Sequence, residues 1–341
     1  PLGGPKYEHL QWEGPTQPWF VMAFRGPAFV PTAKDMPALD LVSEIYFSTS
    51  SDLYKQLVLE DQSVDQLFGY FPNQKDPGIL LVAARLTDAA HAVDVRDKIN
   101  QTLAEARTQL VPEQKLEETK SRMRYSFTSG MGSSGSNGAI LAGFAHFDRD
   151  SEIINDVYAT YDSLTAADVR NAANTYFVDD SRVTFTLSSD ESMPGIDGKA
   201  SLDELVAARG MADAAPETVA AEDEVELPAP DVASVDMAEV AFVTQPSSSS
   251  PLVDVAFLFN IGAALDPEGK KGRATMTAAM LAGGGSQAKT FDEINAAMFP
   301  MAAGFGAQVD KEMTRLSGQV HKDNLDAWYE LVRGQLLFPA W

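Results

Sequence analysis

The chain has four histidines, His9, His91, His146 and His321, and no two of them stand at metal-ligand spacing. Scattered among loops and helix ends, they offer no common face on which a tetrahedral zinc centre would assemble. The run His146-Phe147-Asp148-Arg149-Asp150 sets imidazole and carboxylate groups at alternate positions. It falls where a helix gives way to a loop, and ligands placed there converge poorly. His321, followed by Lys322 and Asp323, has the make-up of an ordinary surface turn.

Other chemistries find as little support. The serine runs 48–51 and 247–250 lack the G-x-S-x-G elbow and a histidine partner, so a nucleophilic serine has no basis. There is no cysteine, which excludes disulfides and thiolate catalysis and leaves the compartment open. The glycine-rich run 130–138, GMGSSGSNG, precedes a helix. It lacks the G-x-x-x-x-G-K-[ST] and G-x-G-x-x-G contexts, and no Lys or Arg follows closely to meet a phosphate. It is expected to be a hinge or flexible surface loop before a helix over 139–147. Gly283, Gly284 and Gly285 suit a helix C-cap, where glycine supplies a left-handed residue.

Charge narrows the partners. With 26 basic and 49 acidic residues the formal net charge is −23, so phosphate backbones and anionic membrane surfaces are repelled. No run approaches the roughly 18–20 apolar residues of a membrane span. At 341 residues and 45% hydrophobic, the chain has room for two domains and part of a third, with substantial cores.

The elements that would have to position a site centre on residues 257–290, FLFNIGAALDPEGKKGRATMTAAMLAGGGSQAKT. Alternating Val253, Val255, Phe257 and Phe259 predict a strand that stops at Gly262. Asp266-Pro267-Glu268-Gly269 forms a turn, and helical periodicity restarts over 272–281. This strand, D-P-x-G turn and helix resemble the opening of a homology unit in peptidase family M16, the pitrilysin/insulinase-type zinc metallopeptidases. In that family the helix carries H-x-x-E-H, two histidines to hold zinc and a glutamate to activate water. The matching positions here are Thr275, Met276, Thr277, Ala278 and Ala279. At the three motif positions, Thr275, Ala278 and Ala279, no side chain is a usual zinc ligand or a base.

A second resemblance lies in residues 156–187. Tyr158-Ala159-Thr160-Tyr161 is followed by Leu164-Thr165-Ala166-Ala167-Asp168-Val169, by Asn174-Thr175-Tyr176-Phe177, and by a strand over 183–187. Thr165 and Asp168 are spaced as an acidic variant of the capping box. Before them, a strand is predicted over 19–25, helices over 36–47 and from Leu53, and a strand pair at 63–70 and 78–85. A helix over 90–110 and another from Pro112 toward Phe127 follow, while residues 1–16 are expected to be extended. The fold class is α+β, a mainly antiparallel sheet with helices packed on one face.

The resemblance implies three parts. Residues 1–188 match the second domain of a first M16 unit, and 189–250 form an acidic Ala/Pro/Ser-rich linker with one short helix at 202–209 and a weak strand at 239–243. Residues 251–341 match the degenerate first domain of a second unit, with a helix at 291–298, paired strands at 304–309 and 314–320, and a closing helix over 323–337. Both chain ends suit a segment of a longer protein: the first residues show no signal peptide, and Leu336, Leu337, Phe338 and Trp341 would need cover.

Functionally, the resemblance implies the non-catalytic portion of a zinc metalloendopeptidase, inactive by itself. Its H-x-x-E-H domain would lie ahead of residue 1 and hold the zinc, leaving no cofactor in this chain. It would contribute to a chamber around a peptide or unfolded polypeptide, closed by the catalytic domain in cis or an active subunit in trans. The alternative is a non-catalytic scaffold or partner subunit of a peptidase complex. Family members favour the bacterial periplasm. In two-unit members an arginine and a tyrosine of the second unit position the peptide backbone. They belong to its last domain, which this chain does not reach, so Arg25 and Tyr54 are given structural roles.

Overall fold

The computed structural model describes residues 2–131, 134–148, 152–197, 200–212, 214–216, 241–246 and 250–340. They form two units, Pro1–Lys120 with Ala139–Val219 and Ser121–Gly138 with Ala220–Trp341.

Strands β1 (Lys6–Gln11) and β2 (Trp19–Arg25) open the first unit, followed by α1 (Asp35–Phe47) and α2 (Asp52–Tyr54), which runs on as a π-helical turn, Lys55–Glu60. A hairpin of β3 (Val64–Tyr70) and β4 (Ile79–Leu86) comes next. Helices α3 (Ala92–Thr108), α4 (Glu113–Gly130), α5 (Ser134–Asp148), α6 (Ile153–Asp162) and α7 (Ala166–Tyr176) follow, the part of α4 from Ser121 and of α5 up to Gly138 belonging to the second unit. The first unit continues with β5 (Val183–Ser188) and α8 (Leu202–Arg209).

The sheet order is β1-β5-β2-β4-β3. Its neighbours are antiparallel apart from β1 and β5, which run parallel from Lys6↔Val183 to Gln11↔Ser188. Period-2 alternation puts Phe20, Met22 and Phe24 of β2 in the core, while Trp19, Val21 and Ala23 on the opposite face stay half-buried. Over the buried face Phe24 meets Phe177 edge-on, with ring centroids 5.1 Å apart. From α3 a stripe at four-residue spacing, Val95, Ile99 and Leu103, is fully buried. Helix α7 starts with the capping box: Asp168 N donates to Thr165 Oγ1 (3.2 Å) and Thr165 N to Asp168 Oδ2 (2.9 Å). The α+β class stands.

Four features depart from the sequence-based expectations. Residues 6–11, expected only to be extended, form β1, because β5 supplies an edge on which they pair. Helix α5 begins at Ser134 rather than at residue 139. Once the apolar run 139–147 has formed a helix, each residue added upstream gains a hydrogen bond at little further cost. Residues 132 and 133 of the glycine-rich run lie outside the described residues.

Within the stretch read as linker, parts of the described residues 189–197 and 200–212 are packed. Met193, Ile196 and Leu202 are buried, and Ala212 N donates to Thr108 O (2.8 Å). Residues 217–240 and 247–249 of that stretch lie outside the described residues. The weak strand expected at 239–243 is not formed in its described part, 241–243.

The second unit contains β6 (Leu252–Phe259), α9 (Arg273–Gly283), α10 (Phe291–Met298), β7 (Gly306–Val309), β8 (Thr314–His321) and α11 (Leu325–Leu337). Its antiparallel sheet has the order β6-β8-β7, leaving β7 at one edge. One core cluster joins Ile294, Met298, Val320, Trp328 and Val332. A second joins Ala278 and Ala282 of α9 to Leu316 of β8. Trp328 is 1% exposed, and its indole Nε1 donates to Gly304 O (3.2 Å), so the ring is buried without an unmet donor.

Candidate functional site

The site grows out of the loop that joins β6 to α9. Gly262 lies where a Cβ would come within 2.6 Å of Asp310 O, so the loop passes too close to the β7–β8 turn for any side chain. This approach lets Ala263 N donate to Asp310 O (2.8 Å) and Ala264 N to Lys311 O (2.9 Å). Pro267 and the left-handed Gly269 and Gly272 then turn the chain into α9. Asp266 reaches across the turn and accepts from Gly272 N (2.7 Å) and Ala274 N (2.9 Å). Those backbone donors hold its carboxyl below the usual carboxylate range, and the anion offsets the free N–H groups at the helix start.

Helix α9 separates the three motif positions. Thr275 and Ala279, four residues apart, lie on the exposed side, whereas Ala278 is 2% exposed and packs against Leu316. The geometry for two ligands on one helix face is present, but a hydroxyl and a methyl group occupy it. Among the described residues no three His, Cys, Asp or Glu side chains gather as a metal site.

The histidines are occupied locally. His9 pairs its Nδ1 with Thr186 Oγ1 (2.8 Å) and its Nε2 with Asp190 O (2.9 Å). His91 lies 3.2 Å from Thr87 Oγ1. His321 accepts from Asp323 N (3.3 Å) at the turn, and its ring rests 5.0 Å from that of Tyr125. His146 meets the Phe147 ring edge-on, while residues 149 and 150 lie outside the described residues. Arg25 is exposed at the end of β2, and Tyr54 N donates to Ser51 Oγ (3.1 Å).

Two features flank the exposed side of α9. Strand β7 is bonded to β8 alone, so its other edge keeps a row of backbone donors and acceptors, and Gly306, Ala307 and Gln308 are exposed. Between α9, α10 and β7 lies a cavity of about 330 Å³ whose walls include Ala279, Gly283, Phe291, Ile294, Phe305 and Gln335. Near the start of α9 a second cavity, of about 370 Å³, is bordered by Phe259, Leu265, Arg273 and Leu281. Sequence reasoning reached α9 but neither cavity. The first draws its walls from three helices and a strand edge, and only the fold brings them together.

The first unit is thus an α+β domain with a helix-backed, mainly antiparallel sheet, and the second places Thr275, Ala278 and Ala279 on one helix beside a strand edge. Residues 3–123 match the family model described as the peptidase M16 inactive domain. Over these residues the chain is similar to that family's inactive domain. No curated protein matches it.

Similar solved structures include a protease from Helicobacter pylori (22% identity, 55% of this chain and 44% of that one, TM-score 0.48). The peptidase M16 inactive domain from Pseudomonas fluorescens is another (14%, 56% and 45%, TM-score 0.47). The periplasmic protease PqqL from Escherichia coli is aligned over 99% of this chain and 40% of its own (9%, TM-score 0.48). The chain spans less than half the length of each.

Proposed function

We propose that this chain is the non-catalytic portion of an M16-type zinc metalloendopeptidase and grips an extended polypeptide along the free edge of β7. Cutting belongs to a zinc domain of the parent, placed ahead of residue 1, or to an active partner subunit. The family resemblance favours the bacterial periplasm for the parent, a compartment that a chain without cysteine tolerates as well as it does the cytosol.

The observation that carries the reading is the pairing of an open strand edge with a motif helix that has lost its ligands. An extended peptide added to β7 would gain main-chain hydrogen bonds and lie beside α9. With Thr275 and Ala279 there, nothing would hydrolyse it.

A fluorescently labelled unstructured peptide should bind the full chain saturably, seen as a rise in anisotropy, and be recovered uncut. Of Ala307→Pro and Gln308→Pro, the one whose amide faces away from β8 should abolish binding while leaving circular dichroism unchanged. Unimpaired binding by both variants would place the peptide elsewhere.

A further inference from the structure

The cavity between α9, α10 and β7 is walled by apolar and small groups apart from two amides, Asn295 and Gln335. Ala279 and Gly283, one helical turn apart, present only a methyl group and a hydrogen on the α9 side. At about 330 Å³ the space accepts one aromatic side chain. Gly306 and Ala307 belong to the same wall, so a peptide paired to β7 runs past the cavity. In such a pairing, alternate side chains of the added strand turn to one face of the sheet and reach the pocket there.

Gln335 gives the cavity a chemical preference. The residue is 1% exposed, and its Nε2 donates to Ala282 O (3.1 Å) and Gly284 O (3.0 Å). Two carbonyl partners fix which end of the amide is nitrogen. The other end, Oε1, is buried and meets no donor among the described residues. An unmet buried acceptor is costly, and buried polar groups in native proteins are rarely left so. Gln335 lines the cavity beside Phe291, Ile294 and Phe305, and its unmet acceptor calls for a ligand with an aromatic body and a donor at its tip.

We infer that the cavity is a specificity pocket for a tyrosine side chain of the bound polypeptide, the ring filling the space and the phenol donating to Gln335 Oε1. The inference rests on the reading that the peptide lies along β7. It adds a residue preference that backbone pairing by itself does not supply.

The test uses the full chain and three labelled peptides identical except for one residue, Tyr, Phe or Ala, with affinities read by anisotropy. The Tyr peptide should bind about tenfold more tightly than the Phe peptide, as a hydrogen bond of ordinary worth implies, and Phe more tightly than Ala. Gln335→Met should erase the difference between Tyr and Phe. Ala279→Phe, on the exposed side of α9, should fill the cavity and bring all three peptides to the Ala level, with the circular dichroism melt unchanged. Equal affinities for Tyr and Phe on the native chain overturn the pocket, as does a Tyr preference that survives Ala279→Phe. If none of the three peptides binds, the β7 reading itself is overturned, and the pocket with it.

Discussion

Asp40 of α1 faces Tyr161 of α6, whose hydroxyl donates to Asp40 Oδ2. Burial pushes the Asp40 carboxyl up from 3.8 to about 7; the Tyr161 hydroxyl opposes the shift and the charge of Glu44 adds to it. The folded chain then keeps a proton that the unfolded chain gives up above pH 3.8. Between that value and about pH 7 each rise in pH favours unfolding, and the full window is worth up to about 4 kcal/mol. Asp40→Asn keeps an acceptor for Tyr161 and cannot ionise. Urea midpoints at pH 5 and pH 8 should fall with pH in the native chain and less so in the variant. Equal slopes in the two proteins would show that Asp40 ionises as freely folded as unfolded.

Helix α8 illustrates how an element is held by groups that composition does not reveal. The Asp179 carboxylate accepts from Ser201 Oγ (2.6 Å), Leu202 N (3.2 Å) and Asp203 N (3.0 Å), capping the helix. Arg182, 1% exposed, lies 3.0 Å from the same carboxylate, and Arg107 clasps Asp203 at 2.6 Å. Asp179→Ala leaves a buried guanidinium short of its anion and should cost about 3–5 kcal/mol. Hydrogen exchange over Leu202–Arg209 should quicken; unchanged protection there would show that Leu202 and its neighbours suffice.

The helix at 202–209 was legible in the sequence, but its docking was not. The alanine, proline and acid around it look like linker, and the partners that hold it lie 22 to 96 residues away. Helix α10 was legible over its full span, 291–298, and the start of α7 from the capping-box spacing of Thr165 and Asp168. Strand β1 was not, because KYEHLQ carries no apolar alternation and its partner lies near residue 183. That Thr275, Ala278 and Ala279 offer neither a usual zinc ligand nor a base could be read from the residue types alone. The role of Gln335 could not, because a glutamine in an amphipathic helix looks like solvent-facing surface until the fold buries it.

Over the molecule as a whole, charge weighs most. With 49 acids against 26 bases, self-repulsion outweighs the exposed ion pairs, each worth little. Screening should therefore stabilise the chain. Raising NaCl from about 20 to about 200 mM shortens the Debye length several-fold and should raise the melting temperature by a few degrees. A fall would mean that the ion pairs, not the repulsion, set the balance. The parallel seam between β1 and β5 has a consequence of another kind, in the order of events during synthesis. Tyr7 and Thr186 share a hydrogen bond across 179 positions of sequence. On a ribosome adding roughly 5–20 residues per second, β1 waits on the order of ten seconds or more for its partner. The β5-facing edge of β2 waits nearly as long. The hairpin of β3 and β4 can pair with β2 early, but the other half of the sheet is a late, long-loop closure of the kind that slows folding. Until then the nascent chain exposes one unpaired strand edge, and a chaperone that covers it would act on β2 before β5 has emerged.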